Sequence, residues 1–251
     1  MQTTQPSIPK LSAVFQSLLR ADLTTQWRNR RGLILTLIVP VIILTSWKNI
    51  IEHFGSDFAL SNCITVGLMA IGLMGYSNSI ARDREKGIFQ RLRVAPMPSW
   101  AIMASRLAVQ LLMITLMALA VFFTGMNVDH ITDITPTGYI VALLTAFVGG
   151  AVYLALGQAI VGLIKNPETV NSTTRLVYFI FIMVGMFAEF GALGDQVRQI
   201  AHWTPYGTVK TIVMAGLKPE KWGNDATMSL LATIGYAVVL AGIGIKNFKW
   251  R

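Results

Sequence analysis

Charged residues are scarce in this sequence, since Asp, Glu, Lys and Arg together make up only 13% of its 251 residues. Such a small fraction does not cover the surface of a soluble protein of this size. Hydrophobic residues make up 53% of the chain, and the mean hydropathy is +0.56. We therefore expect an integral membrane protein rather than a water-soluble domain.

The sequence contains a single cysteine and no loop of the phosphate-binding type. The single cysteine, Cys63, excludes an intrachain disulfide and a cysteine-based metal cluster. His53, His130 and His202 lack the spacing of metal ligands, so we expect no metal site. No GxxxxGK[ST] loop occurs in the sequence, and we expect no ATPase activity in this chain.

Six apolar runs approach the length of about 20 residues that a helix needs to cross a bilayer. They cover residues 32–51, 58–80, 104–126, 138–164, 175–194 and 226–245. Pro40 is expected to kink the first run. The predicted fold is an all-α integral membrane protein with six transmembrane helices in residues 32–251.

Basic residues are distributed unevenly between the two sides of these runs. Fifteen Lys and Arg residues fall on the side that carries both termini, and five fall on the other side. Because cytoplasmic loops retain Lys and Arg, we expect both termini in the cytoplasm. The formal charge of +9 is divided among short loops, so nucleic acid is not an expected partner.

Residues 1–31 are predicted to form an amphipathic helix at the membrane surface. Its apolar stripe recurs at three- and four-residue spacing and consists of Leu11, Val14, Phe15, Leu18, Leu19, Leu23 and Trp27. Such a helix lies flat in the interface between lipid and water. Two interpretations stand, a simple anchor and a lever joined to the first span.

Two short helices are predicted between the fifth and sixth runs, where the chain is too apolar for an exposed loop. Thr204 with Pro205 is typical of a helix start, and Gly216 with Pro219 is typical of a helix end. A shorter helix that opens at Asp195 is predicted before it. We expect this re-entrant pair to dip into the outer leaflet, as an outer gate or as a structural lid.

Residues 81–100 are the most highly charged stretch of the chain. They predict a short helix with an apolar ridge of Ile88, Phe89 and Leu92 that ends before Pro96. Such an element between two spans suits docking into a groove on a soluble partner. The alternative is a solvated loop whose basic residues only fix the topology.

The order Arg84-Glu85-Lys86-Gly87, then Leu92, then Pro96, resembles the RE-x-G … L … P signature of the membrane subunits of ABC type 2 exporters. The resemblance covers nearly the whole chain, and this segment is most similar to the branch that includes daunorubicin-type multidrug exporters. It implies a cytoplasmic coupling helix between spans 2 and 3, seated on a separate ATPase subunit. The residues implied in coupling are Arg84, Glu85, Gly87, Ile88, Phe89, Leu92 and Pro96.

The same resemblance implies a permease subunit in the bacterial cytoplasmic (inner) membrane. This chain would bind no cofactor, while ATP and Mg²⁺ would bind the partner ATPase. Six spans are half of the usual set, so a second permease subunit is implied, most simply another copy in a homodimer. The implied cargo is an amphipathic drug-like or lipidic molecule moved out of the cell by alternating access. Lipid-linked glycan or polysaccharide export is an alternative within this class, and an ion-coupled secondary transporter or a membrane scaffold is the alternative outside it.

Glu189 is the only acidic residue well inside an apolar run, where a charge is costly. It is either a cation-attracting or proton-sensitive site in the translocation path, or a carboxylate that reaches outer water or caps the re-entrant helix. The candidate translocation path or outer gate consists of Glu189, Phe187, Phe190, Trp203, Pro205 and Tyr206.

A seam of small residues follows one face of the fourth run, formed by Ala151, Ala155, Ala159 and Gly162. Small side chains let helices approach closely in a membrane. We predict that this seam packs helices within the subunit, and the alternative is a sliding surface for alternating access.

Overall fold

The computed structural model describes residues 11–93, 99–190 and 194–247 of the chain. Regular structure in these ranges is helical and includes no strand, which confirms the prediction of an all-α membrane protein. The helices are α1 (Leu11–Arg28), α2 (Arg30–Ser46), α3 (Lys48–Phe54), α4 (Ser56–Met69), a π-helix (Ala70–Tyr76), α5 (Ser77–Glu85), α6 (Ile88–Arg93), α7 (Ser99–Asn127), α8 (Pro136–Leu163), α9 (Pro167–Glu189), α10 (Asp195–His202), α11 (Pro205–Leu217), a 3₁₀ turn (Pro219–Lys221) and α12 (Asn224–Asn247).

Five described helices are long and apolar enough to cross a membrane, namely Ser56–Glu85, Ala101–Asn127, Pro136–Leu163, Pro167–Glu189 and Asn224–Asn247. A sixth crossing is counted when the bent pair Ser12–Arg28 and Gly32–Ser46 is taken as one span. The two parts of this pair meet at 86°. The predicted first run, 32–51, is divided in the structure, because α2 ends at Ser46 and α3 begins at Lys48. At 1.5 Å per residue, the 17 residues of α2 are only about 25 Å long.

Two other predicted runs have different ends in the structure. The second run, predicted at 58–80, extends from Ser56 to Glu85 and therefore includes the first residues of the charged stretch. The fifth run, predicted at 175–194, begins at Pro167. The Asn166 side chain accepts hydrogen bonds from the backbone N–H groups of Glu168 and Thr169, and Pro167 occupies the first helical position. The polar first turns of α9 hide this start from a search for apolar runs.

The close crossing of the second and fourth spans depends on glycine. A Cβ atom added to Gly72, in the π-helix, would lie 2.5 Å from the carbonyl carbon of Tyr153. A Cβ atom added to Gly157 would lie 2.5 Å from the carbonyl oxygen of Gly72. Only glycine therefore lets the two backbones approach this closely, as small residues do in membrane helix pairs.

The core of the bundle lies around α4, α7, α8 and α11. The short helix α11 packs against α8, α12 and α4, so it is inserted among the spans rather than lying on their surface. It begins at the predicted Thr204–Pro205 cap, where the Thr204 hydroxyl accepts a hydrogen bond from the N–H of Gly207. The packing leaves α9 and α12 at the periphery, with much of their apolar surface exposed.

The spans run back and forth between two ends of the bundle. One end contains α6 and the last turns of α5 and α8, and we call it the α6 end. The other end contains the start of α4, the connection between α7 and α8, and α10, and we call it the α10 end. Each end contains one candidate functional region.

The glycine crossing gives a test in which two glycine-to-alanine substitutions have different effects on stability. Gly72→Ala should lower the free energy of unfolding by about 1–3 kcal/mol, because the new methyl group overlaps the Tyr153 backbone. Gly242→Ala in α12 should leave stability unchanged or raise it by up to about 1 kcal/mol, since nothing lies within 4 Å of the new methyl group and Ala favours helix. Thermal unfolding of both variants in a nonionic detergent measures the difference, and equal effects would contradict the tight crossing.

Candidate functional site

A sharp turn at Gly87 separates α5 from α6 at the α6 end. Gly87 has φ of +65°, a left-handed conformation that residues with a side chain rarely adopt. The N–H of Gly87 donates to the carbonyl oxygen of Arg84, and the N–H of Arg91 donates to the carbonyl oxygen of Gly87. The second span and α6 are therefore connected by a defined turn rather than by a flexible linker.

Arg84 fastens the second span to the end of the fourth span. Its guanidinium donates hydrogen bonds to the carbonyl oxygens of Val161 and Ile164, both at 2.7 Å, and of Lys165 at 2.8 Å. The last carbonyl oxygens of a helix accept no hydrogen bond from the helix itself, and a basic side chain can donate hydrogen bonds to them. The predicted coupling residue Arg84 thus binds within this chain.

Phe89 lies inside the bundle, although the sequence predicts it in a ridge that faces a partner. Its side chain is 1% exposed, and the Arg106 guanidinium lies over its ring at 4.9 Å. Arg106 also forms an ion pair with Asp83 at 2.6 Å. The Phe89 ring is therefore covered by its own chain.

The other predicted coupling residues have different positions. Ile88 is half-buried, whereas Glu85 is exposed together with Lys86, Gln90 and Arg91. The Leu92 side chain and Pro96 lie outside the described part of the chain. The described surface that α6 and the end of α5 offer to a partner is therefore charged and polar.

An open cleft of about 1670 Å³ lies at the α10 end. Of the predicted path residues, Glu189, Trp203 and Pro205 line it. Phe187 is exposed on α9, whereas Tyr206 is fully buried beneath the cleft. Phe190 belongs to an aromatic group beside the cleft that consists of Trp47, Phe54, Phe58 and Phe190.

Glu189 forms an ion pair with Lys210 of α11. The Lys210 ammonium lies 2.6 Å from Oε1 and 2.5 Å from Oε2 of Glu189, and the two side chains are 8% and 15% exposed. Neither predicted role of Glu189 included this contact. The pair joins the last residue of the fifth span to the middle of the inserted helix.

Three tyrosines hold α11 and the residues before it. Tyr206 donates to Oδ1 of Asn62 at 2.6 Å, and Tyr153 donates to the carbonyl oxygen of Pro205 at 3.1 Å. Tyr236 donates to the carbonyl oxygen of Trp203 at 2.6 Å. The bonds of Tyr206 and Tyr153 are buried or half-buried and satisfy polar groups that lipid could not satisfy, whereas the bond of Tyr236 is exposed.

A second charged cluster fixes the far end of α11. Lys218 lies 2.8 Å from Asp57 at the start of α4 and 2.9 Å from Asp133 in the connection between α7 and α8. Ser56 donates to the Asp133 carboxylate at 2.6 Å. Partial burial opposes ionisation of Asp133, but hydrogen bonds from Ser56 and Lys218 and the Lys218 charge outweigh it and lower the pKa of Asp133. Burial likewise opposes the Lys218 charge, but its bonds to the two carboxylates raise the pKa of Lys218.

The small-residue seam lies partly at a helix contact. Ala155 and Ala159 are buried, Gly162 is half-buried and Ala151 is exposed. A Cβ atom added to Gly244 of α12 would lie 3.0 Å from the backbone nitrogen of Ala159. The end of the seam toward α6 therefore packs closely on the sixth span. Whether it slides during transport stays a prediction.

Comparison with known proteins assigns the family. The model of a family described as "ABC-2 family transporter protein" matches residues 49–246. These residues include α4 through α12, except for the last residue of α12. The chain belongs to this family of transporters. No curated protein matches the chain. As an ABC-2 transporter it is a multi-pass membrane transport domain and not a catalytic ATPase. Among the described residues, no group of three His, Cys, Asp or Glu side chains could hold a metal ion.

Sequence reasoning missed the partners that give this ABC-2 transporter its two charged clusters at the α10 end. Lys210 counted only as one of five outer basic residues, although it lies within an apolar predicted helix. A cation and an anion that both fall in apolar segments near the same end of the bundle are expected to pair. The sequence does not indicate the second cluster, because its members Lys218, Asp57 and Asp133 lie outside the apolar segments, where charges are common.

Phe89 provides the first test at this site. Phe89→Ala should destabilise the subunit alone by about 3–5 kcal/mol, because a buried phenylalanine contributes core packing. Gln90→Ala, one residue further and exposed, should change stability by less than about 0.5 kcal/mol. Thermal unfolding of each purified variant without any partner is the measurement. A fully stable Phe89→Ala subunit would show that the ring does not serve this chain's own core.

The Lys218 cluster gives a test by pH. Asp133 has a pKa below its ordinary 3.8, so its stabilisation is present above that value and is lost as pH falls through the lowered pKa. Lys218 has a pKa above its ordinary 10.5, so its stabilisation is lost only as pH rises through the raised pKa. The difference in unfolding temperature between wild type and Lys218→Met should therefore be constant from about pH 5 to 9 and shrink below about pH 4. The exposed control Lys221→Met should show no such acid dependence, and a difference that changes near pH 7 would contradict the cluster.

Proposed function

We propose that this chain is the permease subunit of an ATP-binding-cassette exporter that is driven by a separate ATPase subunit. Membership of the ABC-2 transporter family supports a transport role. In this proposal the α6 end faces the cytoplasm of a bacterial inner membrane, and both termini lie on that side. The excess of basic residues at this end supports the orientation.

The observation that carries the proposal is the way α6 is connected to the second and third spans, and the second span to the fourth. The Gly87 turn joins α6 to the second span, and the Phe89 ring contacts Arg106 of the third span. Arg84, on the second span beside the turn, bonds to the end of the fourth span. A displacement of α6 therefore moves the ends of three spans together. Packed and hydrogen-bonded elements of this kind can transmit motion between distant sites.

The exposed face of this region suits a charged partner surface. Glu85 precedes Lys86 on the turn, and Arg91 follows on α6. Charges at the rim of an interface fix register and accelerate association. Apolar burial at the coupling helix would then serve the permease, while its charges would meet the ATPase.

At the opposite end we propose that α10, rather than α11, is the part of the outer gate that moves. α11 is held by Lys210, by Lys218 and by the buried Tyr206 hydroxyl. α10 is mostly exposed, and among its described residues only Ala201 is buried. Gly194, with φ of +82°, provides a turn before it. Release of substrate would require rotation of α10 and leave α11 in place.

The proposed cargo is an amphipathic drug-like or lipidic molecule, moved outward by alternating access. A cleft lined by both aromatic and polar side chains supports such a cargo, since it offers contacts to an apolar body and to a polar head. The similarity of the coupling segment to daunorubicin-type exporters supports the same class. A second copy of the chain is proposed to complete the path, with the exposed apolar faces of α9 and α12 available to it and to lipid.

Charge reversal on the exposed face tests the coupling proposal. Lys86→Glu combined with Arg91→Glu should weaken association with an ATPase subunit at least about tenfold, since like charges would replace opposite ones at the interface. Lys246→Glu at the same end, on α12, is the control and should associate as wild type does. The measurement is the amount of phosphate-loop ATPase that copurifies with tagged permease from detergent-solubilised membranes. Full association of the double variant would contradict docking through this face.

A further inference from the structure

The ammonium group of Lys210 occupies an arrangement that has the chemistry of a cation-binding site. It contacts both carboxylate oxygens of Glu189 at 2.5 and 2.6 Å, and it lies 5.3 Å from the centre of the Phe58 ring. A carboxylate beside an aromatic face is the combination that binds alkylammonium groups, because the ring face carries partial negative charge.

The aromatic wall extends beyond Phe58. The Phe54 ring stacks on Phe58 at 5.1 Å, and Phe190 approaches the two rings at 5.6 and 6.1 Å. Trp47 adds an edge contact to Phe190 at 6.2 Å. The ammonium group of Lys210 therefore lies at the edge of an apolar surface large enough to hold hydrocarbon attached to a cation.

The arrangement is open to the cleft. Glu189, Lys210, Phe54 and Phe58 all line the cavity of about 1670 Å³. The described lining contains four carboxylates and four Lys or Arg side chains, so the overall charge of the cleft does not favour cations. Selection of a cation would have to come from direct contact at Glu189.

The cation that occupies this arrangement is the ammonium of Lys210, which is attached to α11 by a flexible side chain. Lysine has a stem of four carbons, and its ammonium can turn into the cleft without any movement of the α11 backbone. A buried ion pair recovers its desolvation cost only in part, so another cation that also brings apolar surface can compete for the carboxylate.

We propose that Glu189, Phe54, Phe58 and Phe190 form a binding site for the ammonium group of a cationic amphipathic ligand, and that the ligand displaces Lys210 from it. Without ligand, Lys210 satisfies Glu189 and keeps the site neutral. With ligand, the alkyl or aromatic body lies against the phenylalanines and the Lys210 ammonium moves into the watery cleft. The inference deepens the proposed export function, on which it rests for its biological meaning, by naming the chemical class of the substrate.

Binding of dansylcholine, a fluorescent quaternary ammonium compound, tests this displacement on the full-length purified subunit in a maltoside detergent. Lys210→Met should bind the probe at least about tenfold more tightly than wild type, because the internal competitor is gone. The double variant Lys210→Met/Glu189→Gln should lose that gain. Fluorescence polarisation gives both affinities.

Two matched controls separate this site from general effects. Lys221→Met removes one positive charge from the same cleft and should change the affinity by less than about twofold. Dansylamide, which carries no charge, should bind all variants alike. A gain that also occurs in Lys221→Met, that survives in the double variant or that is absent from Lys210→Met would overturn the proposal.

A second measurement applies if Lys210→Met does not fold in isolation. Addition of n-butylammonium chloride during purification should then restore monodisperse protein, whereas the same concentration of sodium chloride should not. Failure of n-butylammonium to restore it would contradict the site. Neither measurement involves ATPase or transport, so failure of the site and failure of the proposed exporter function are distinguished.

Discussion

The pairing of charged side chains inside an apolar bundle determines the main contacts of this structure. A charge away from water is tolerated in a membrane protein when it is paired or bonded to backbone. Here Arg106 pairs with Asp83, Arg84 bonds to the carbonyl end of α8, Lys210 pairs with Glu189, and Lys218 joins two carboxylates. Each of these contacts joins different helices or the connections between them, so the few charged residues of the chain also determine which helix ends stay together.

The two ends of the bundle use this constraint differently. At the α6 end, Arg84 and Arg106 bind inward, whereas Glu85, Lys86 and Arg91 on the turn and α6 face outward. At the α10 end, the charges surround an open cleft and hold α11 beneath it. The α6 end is therefore suited to receive force through α6, which is firmly attached to the spans. The α10 end is suited to bind and release a ligand in a cleft above the immobile helix α11.

Sequence reasoning recovered the features that depend on local pattern. The all-helical membrane fold followed from apolar runs, and the start of α11 followed from Thr204 and Pro205, whose effect is confined to one helix turn. It did not provide the features that depend on contacts between different helices. The pairing of Glu189 with Lys210 and the inward position of Phe89 depend on which helices are neighbours, and no local spacing encodes that. The early start of α9 was missed because polar residues in a first turn resemble a loop in a hydropathy window.

Sidedness is the claim on which the whole account depends, because an ATPase can drive the permease only if α6 faces the cytoplasm. The single native cysteine, Cys63, is fully buried, so we expect it not to react with a maleimide that labels an introduced cysteine. The direct measurement is reaction of a membrane-impermeant maleimide with Arg91→Cys and, separately, with Asp195→Cys in intact cells. The account predicts that Asp195→Cys reacts at once and that Arg91→Cys reacts only after the cells are permeabilised. Reaction of Arg91→Cys in intact cells would contradict it.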